Sequence, residues 1–292
     1  ALGLATAARN REYGSALSLA ETTFERWPTP ETRHMYASEL SLAGREEEAL
    51  EELKASVGGF PRANYNLGIA LFRQKAYPEA IAAFDAFVKA YPSLLEVVEA
   101  RVLTGRSHAE LGHWTEAAQA YDDALRMRPS RREIHGLLAD ALVQLDRDEE
   151  AVPHYRTFLD AFPDDTGALG TLGVLLMERE RFKEAIPVFR RVVDIDPKNA
   201  IARRNLATAL LAESDAAGAV EQARQAASLS PDDALSLDLL GLALIERGLP
   251  SEAVLAFRRA NQLAPADPVI REHLGAAEAL VAAGGQRPPA GR

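Results

Sequence analysis

The 292-residue chain contains no cysteine. Disulfides, thiolate zinc sites and cysteine nucleophiles are therefore excluded, while reducing and oxidising compartments both stay open. Aromatic residues are scarce at 7%, and alanine and leucine dominate, a balance that favours helices over sheets. No apolar run approaches the ~18–20 residues that a membrane span requires, so no direct span is expected. Basic residues are the minority, 33 against 43 acidic, for a net charge of −10. Nucleic-acid binding draws on a basic surface that displaces counterions, so that partner class is not expected. The chain opens Ala1-Leu2-Gly3 instead of with methionine, which leaves room for an upstream tag, signal or domain. A cytoplasmic location is the first expectation, with periplasmic or secreted locations left open for that reason.

Signals for chemistry are equally thin. The six histidines, at 34, 108, 113, 135, 154 and 273, form no HExxH or other paired-ligand spacing. His135 falls on an apolar stripe, where a hydrogen-bonded packing role is expected. Gly170 and Gly173 lie within a helical pattern and form no phosphate loop. Carboxylates are abundant, but none stands with an acid, a base and a nucleophile in one place. Glu46-Glu47-Glu48 with Glu51-Glu52 reads as a solvated helix face. Arg126, Arg128, Arg131 and Arg132 flank Pro129, as an ordinary turn or as a site for an acidic partner. Gly284 to Arg292 has the composition of a disordered end. The expectation is no catalysis, no cofactor, no metal and no small-molecule substrate.

What the sequence does contain is a period. Prolines stand at 28, 61, 92, 129, 163, 197, 231 and 265, and from Pro129 onward they are 34 residues apart. Twelve residues before each proline is an alanine: Ala16, Ala49, Ala80, Ala117, Ala151, Ala185, Ala219 and Ala253. Twelve residues before seven of those alanines is another small residue: Ala37, Gly68, Gly105, Ala139, Gly173, Ala207 and Gly241. Small residues at both positions let two helices approach closely. Apolar residues recur around them at helical spacing, as in Leu169, Leu172, Gly173 and Leu176. Four residues after the alanine comes an aromatic or leucine in most copies: Leu53, Phe84, Tyr121, Tyr155, Phe189 and Phe257. Proline then ends the second helix. Pairs such as Asp164-Asp165 and Asp232-Asp233 supply turn and N-cap chemistry for the next helix.

With Leu172-Gly173, Ala185, Phe189 and Pro197 in one 34-residue unit, the chain resembles the tetratricopeptide repeat family from residue 1 to about 283. The resemblance implies an all-α fold, a right-handed α-solenoid of antiparallel helix pairs. It also implies a concave face, lined mainly by first helices, that binds a peptide or protein partner. The implied organisation is a truncated first repeat at 1–29, seven repeats at 30–265, a C-terminal capping helix at 266–283 and a tail at 284–292. Terminal helices of this kind cap the exposed core of a solenoid. The frame departs from the family once. From proline to the next small residue the count is normally ten, but it is seven from Pro61 to Gly68 and thirteen from Pro92 to Gly105. One first helix should lose close to a turn and the next gain one, as loop drift or as a notch that shapes a ligand pocket.

The 100° step per residue then assigns a partner-facing side to each first helix. The third repeat offers Arg62, Tyr65, Asn66, Ile69, Phe72 and Arg73, and the fourth offers Glu99, Val102, Arg106 and Glu110. The sixth offers Val174, Met177 and Glu178. The seventh offers Ile201, Arg204, Asn205, Thr208 and Leu211, and the eighth offers Leu235, Asp238, Leu242, Ile245 and Glu246. Val174, Met177, Leu211, Leu242 and Ile245 form an apolar row off the core stripe. It would seat an amphipathic segment or be buried between repeats. Chaperone-binding members clamp a carboxylate with lysines and asparagines. Here Asn66 and Asn205 match, Arg62, Arg73, Arg106 and Arg204 stand nearby, and the full set is missing. Pairing with Glu99 and Glu110 is the bland account of those cations. Function reduces to a scaffold that binds a protein or peptide. The alternatives are an interaction domain cut from a larger enzyme, and self-association.

Overall fold

The computed structural model describes residues 15–284, and every regular element among them is an α-helix. What the sequence suggests for residues 1–14 and for the tail beyond Gly284 lies outside the described residues. The chain forms two compact units, Ala1–His154 and Tyr155–Arg292. The first holds α1 (Ala16–Arg26), α2 (Pro30–Leu42), α3 (Glu46–Ser56), α4 (Ala63–Arg73), α5 (Tyr77–Ala90), α6 (Glu96–Glu110), α7 (Trp114–Met127), α8 (Arg132–Val143) and most of α9 (Asp148–Leu159). The second holds the end of α9 and then α10 (Thr166–Glu178), α11 (Phe182–Ile195), α12 (Ala200–Ala212), α13 (Ala216–Leu229), α14 (Ala234–Glu246), α15 (Pro250–Leu263) and α16 (Pro268–Ala282).

Each helix from α1 to α8, and again from α10 to α16, packs on the next in the chain. First helices also touch the first helix of the following hairpin: α4 with α6, α10 with α12, α12 with α14 and α14 with α16. Contacts thus stay between near neighbours, as in any array of stacked repeats.

The small residues explain why the hairpins close. A Cβ added to Gly68, Gly105, Gly173 or Gly241 would meet ring carbons of Phe84, Tyr121, Phe189 or Phe257 at 2.5 Å. The four rings are at most 2% exposed. In these four hairpins the aromatic side chain of the second helix therefore lies directly on the backbone of its first helix. In the hairpins with Ala37 and Ala207, the residues in the same register are the smaller Leu53 and Ala223.

Helix ends follow local chemistry. The residue before proline leaves the α region in six places: Trp27, Tyr91, Arg128, Asp196, Ser230 and Ala264 have φ between −124° and −141° with positive ψ. Asp165, Asn199, Asp233 and Asp267 cap α10, α12, α14 and α16 by accepting a backbone N–H of the first turn. Every turn between the helices of a hairpin places one residue at positive φ: Gly44, Lys75, Gly112, Asp146, Glu180, Ser214 and Gly248. In all but the Asp146 turn, where it falls one residue later, this is the left-handed C′ position, where glycine carries no steric cost.

The irregular frame between residues 61 and 105 appears as helix length. The first helix α4 has 11 residues and α6 has 15, against 13 in α10, α12 and α14. Neither α4 nor α6 has a side-chain N-cap. A cleft of about 500 Å³ opens beside α4, lined by Leu50, Lys54, Asn64, Leu67, Leu71 and Glu79. A cleft of about 640 Å³ opens beside α10, whose length is regular. Such a cleft therefore does not require a short first helix.

Two outcomes follow. Gly241→Ala gains helix propensity of about 1 kcal/mol but pushes on the Phe257 ring, at an overpacking cost of about 1–3 kcal/mol. Urea denaturation should show net destabilisation, reversing to stabilisation when Phe257→Leu is already present. Glu180→Gly should raise stability by roughly 1 kcal/mol by relieving the left-handed backbone, read as a higher urea midpoint with unchanged slope.

Candidate binding faces on the first helices

In unit two, the open part of each first helix lies one and four residues beyond its small residue. These positions hold Val174 and Met177 on α10, Thr208 and Leu211 on α12, and Leu242 and Ile245 on α14. None is buried; Val174 is 39% exposed and the other five are half-buried. Between them lie Leu175, Leu176, Ala209, Leu210, Ala243 and Leu244, all at most 4% exposed. The helix thus alternates sharply between core and open side. Leu211 is the most committed inward of the six, since it packs on the Ala207, Ala223 and Leu239 cluster.

The polar residues of this unit do more holding than facing. Arg204 donates to Asp233 at 2.8 Å, reaching the N-cap of the next first helix. Burial pushes the Asp233 carboxyl up, but Ser236 and Arg204 outweigh it and leave it below its usual value. Thr208 Oγ1 donates to the Arg204 carbonyl at 3.1 Å. Asn205 is half-buried beside them.

Unit one is mixed. Arg62, Arg73 and Arg106 are exposed. Arg62 pairs with Glu96 at 2.7 Å, Arg73 comes within 3.6 Å of Glu46, and Glu99 is taken by Arg131. Glu110 accepts from Tyr77. For Arg62 and Arg73 the expected pairing with Glu99 and Glu110 is therefore replaced by other partners. Tyr65 and Phe72 are half-buried and belong largely to packing: Tyr65 lies 5.1 Å from the Phe87 ring, and Phe72 meets Tyr77 edge-on at 5.6 Å. Asn66 donates to Ser38 at 3.2 Å. Together Asn66, Ile69 and Arg73 of α4 face Ser38, Ser41 and Leu42 of α2 across a recess of about 280 Å³.

Two residues assigned to the open side are in fact buried. Val102 is 4% exposed and Asp238 is 8% exposed. Both lie three residues before the small residue, on the same angular face but one turn nearer the helix start. At that height the following hairpin reaches Asp238 through His273 and Arg204 through Asp233. His273 of α16 covers Asp238, its Nδ1 lying 2.9 and 3.0 Å from the two carboxylate oxygens. The same register would have exposed further omissions. Ser38 and Ser41 stand one and four residues after Ala37, the positions of Val174 and Met177.

Among the described residues no group of three or more histidine, aspartate or glutamate side chains could hold a metal ion. No described helix is long and apolar enough to cross a membrane. The Asp238–His273 contact leads to an asymmetric expectation. His273→Ala leaves a carboxylate buried without its partner and should cost about 1–3 kcal/mol. Removing both groups by Asp238→Leu with His273→Leu should cost less, as urea denaturation of the two variants would tell.

A family model described as tetratricopeptide repeat matches residues 37–94, 102–166, 149–200, 171–234 and 204–268. No curated protein matches the chain. Among solved structures, MamA protein is similar at 20% identity and a TM-score of 0.54, over 58% of this chain and 93% of its own. YrrB, described as a TPR protein with an unusual peptide-binding site, is similar at 21% identity and a TM-score of 0.56, over 63% of this chain and 95% of its own. A tetratricopeptide repeat protein from Parabacteroides merdae aligns over 85% of this chain and 98% of its own, at 19% identity and a TM-score of 0.51. At these identities the likeness is one of fold.

Proposed function

The chain belongs to the tetratricopeptide repeat family, and we propose that it acts as a non-catalytic scaffold whose unit-two first helices bind a peptide or protein segment. The observation that carries this reading is the row formed by Val174, Met177, Leu211, Leu242 and Ile245. These apolar side chains recur at equivalent positions on three successive first helices and stay partly in water. Covering such area is worth about 25 cal/mol per Å², and contiguous exposed apolar surface marks interaction sites. A preformed helix face also adds little ordering cost to binding. The similar YrrB structure carries a peptide-binding site, which supports the same class of ligand here.

In this reading Thr208 and Asn205 supply hydrogen bonds beside the row, and Arg204 orders its edge through Asp233. The unit-one set, Arg62, Asn66, Arg73 and Arg106 with Tyr65 and Phe72, forms a separate and more polar face. We assign residues 30–265 to seven repeats and 266–283 to a capping helix. Recruitment of substrate for a larger enzyme uses the same face. The full reading frame distinguishes it from a stand-alone adaptor.

The test is affinity capture from native lysate with the wild-type chain and the Met177→Glu/Leu242→Glu variant, read by mass spectrometry. The wild type should retain a partner that the variant loses, while helical circular dichroism stays unchanged. Equal capture by both would remove the unit-two row as the site. Light scattering over a range of concentrations checks self-association, which a constant monomer mass rejects.

A further inference from the structure

One position pair recurs within the hairpins with a different chemistry each time. A first-helix residue four before the small residue meets a second-helix residue three after the conserved-register alanine, always 19 residues on. In α2/α3 it is an ion pair, Arg33 to Glu52 at 2.7 Å. In α12/α13 the buried Arg203 donates to Gln222 at 2.9 Å. In α10/α11 it is apolar, with Leu169 and Val188 in one cluster. In α8/α9 it is two histidines, with His135 Nδ1 2.7 Å from His154 Nδ1 and ring centroids 4.9 Å apart. Each rung ties the two helices of a hairpin together.

We propose that the His135–His154 rung is an acid-released latch, which holds the α8/α9 hairpin closed near neutral pH and opens when both imidazoles are protonated. The chemistry follows from the facing atoms. In the neutral pair one Nδ1 carries a proton and donates to the bare Nδ1 of the other. A first added proton goes to an outward Nε2 and leaves that bond intact, now charge-assisted. A second proton must go on the accepting imidazole, and its cation carries N–H on both nitrogens. Two donors then face each other at 2.7 Å with like charges, and the rings must part. The remaining three rungs contain no histidine.

The surroundings work in the same direction. His154 lines a recess of about 340 Å³ that gives water access to its ring. Asp122 and Arg126 of α7, Arg147 of the α8–α9 turn and Glu150 of α9 line that recess, and Arg147 is paired to Glu150 at 2.7 Å. Burial, then Arg132 of α8, lowers the pKa of His135. Burial, then His135, lowers that of His154, against a smaller upward pull from Asp122 and Glu150. A lowered histidine pKa means that the closed state resists protons which the opened state accepts below pH 6.5. The latch therefore contributes fully above that pH and weakens as pH falls through it toward the lower native values. His34 and His108 are also lowered by burial, so a whole-chain melting curve would mix their effects with this one.

The test is local: hydrogen exchange with mass spectrometry on the full chain at pH 7.5, 6.5 and 5.5, corrected for intrinsic exchange. Opening of α8/α9 should rise by up to about tenfold per pH unit below 6.5 for each proton taken up, while the histidine-free α12/α13 hairpin stays level. His135→Leu/His154→Val copies the apolar rung of α10/α11 and should abolish the slope. If that variant does not fold, His135→Arg/His154→Gln copies the α12/α13 rung and should do the same. Equal pH response of the two wild-type hairpins overturns the latch, and so does a wild-type slope retained in a folded rung variant.

Discussion

Four of the hairpins depend on one contact, a second-helix aromatic ring resting on first-helix backbone where a side chain is missing. Gly68, Gly105, Gly173 and Gly241 leave no room for a Cβ beneath Phe84, Tyr121, Phe189 and Phe257. Close packing at that point sets how near the two helices lie, because protein interiors accommodate even one added carbon poorly. It also orients the first helix. On α10 and α14 the residues two and three beyond the glycine are drawn into the core, and those one and four beyond it are left at its open edge.

Around that contact, individual repeats vary what evolution or chance has placed at the less constrained positions. The rung 19 residues apart is an ion pair, an apolar contact, an amide–guanidinium bond or a histidine pair, and the hairpin forms in each case. The turn residue at positive φ is glycine in some hairpins and lysine, aspartate, glutamate or serine in others. Strain of about 1 kcal/mol is tolerated there because packing of the two helices holds the turn. Local irregularity is thus absorbed without loss of the frame, including the 11- and 15-residue first helices.

Much of this was legible in the residues. The proline, alanine and glycine frame marks where helices stop and approach, since each acts through its own backbone or lack of side chain. The N-cap aspartates were legible for the same reason. The side of each first helix that stays open was legible in angle: Val174, Met177, Leu242 and Ile245 lie where a 100° step puts them. Val102 and Asp238 lie at nearly the same angle and are buried. Angle locates a residue around a helix axis but not relative to the start of the next helix, and one turn of height separates the open positions from the covered ones. Tyr65 and Phe72 stay half-buried and also pack on the Phe87 and Tyr77 rings, contacts that an angle around the helix axis does not reveal.

The sequence by itself determined the all-helical repeat, its register and the close approach within each hairpin, because those rest on interactions a few residues or one fixed offset apart. Only the tertiary structure decided which polar groups meet: Arg62 with Glu96 and not Glu99, Asp238 with His273, and His135 with His154. Long side chains choose among several partners within reach, and that choice is made by the packing of neighbouring helices, which a periodic pattern does not encode.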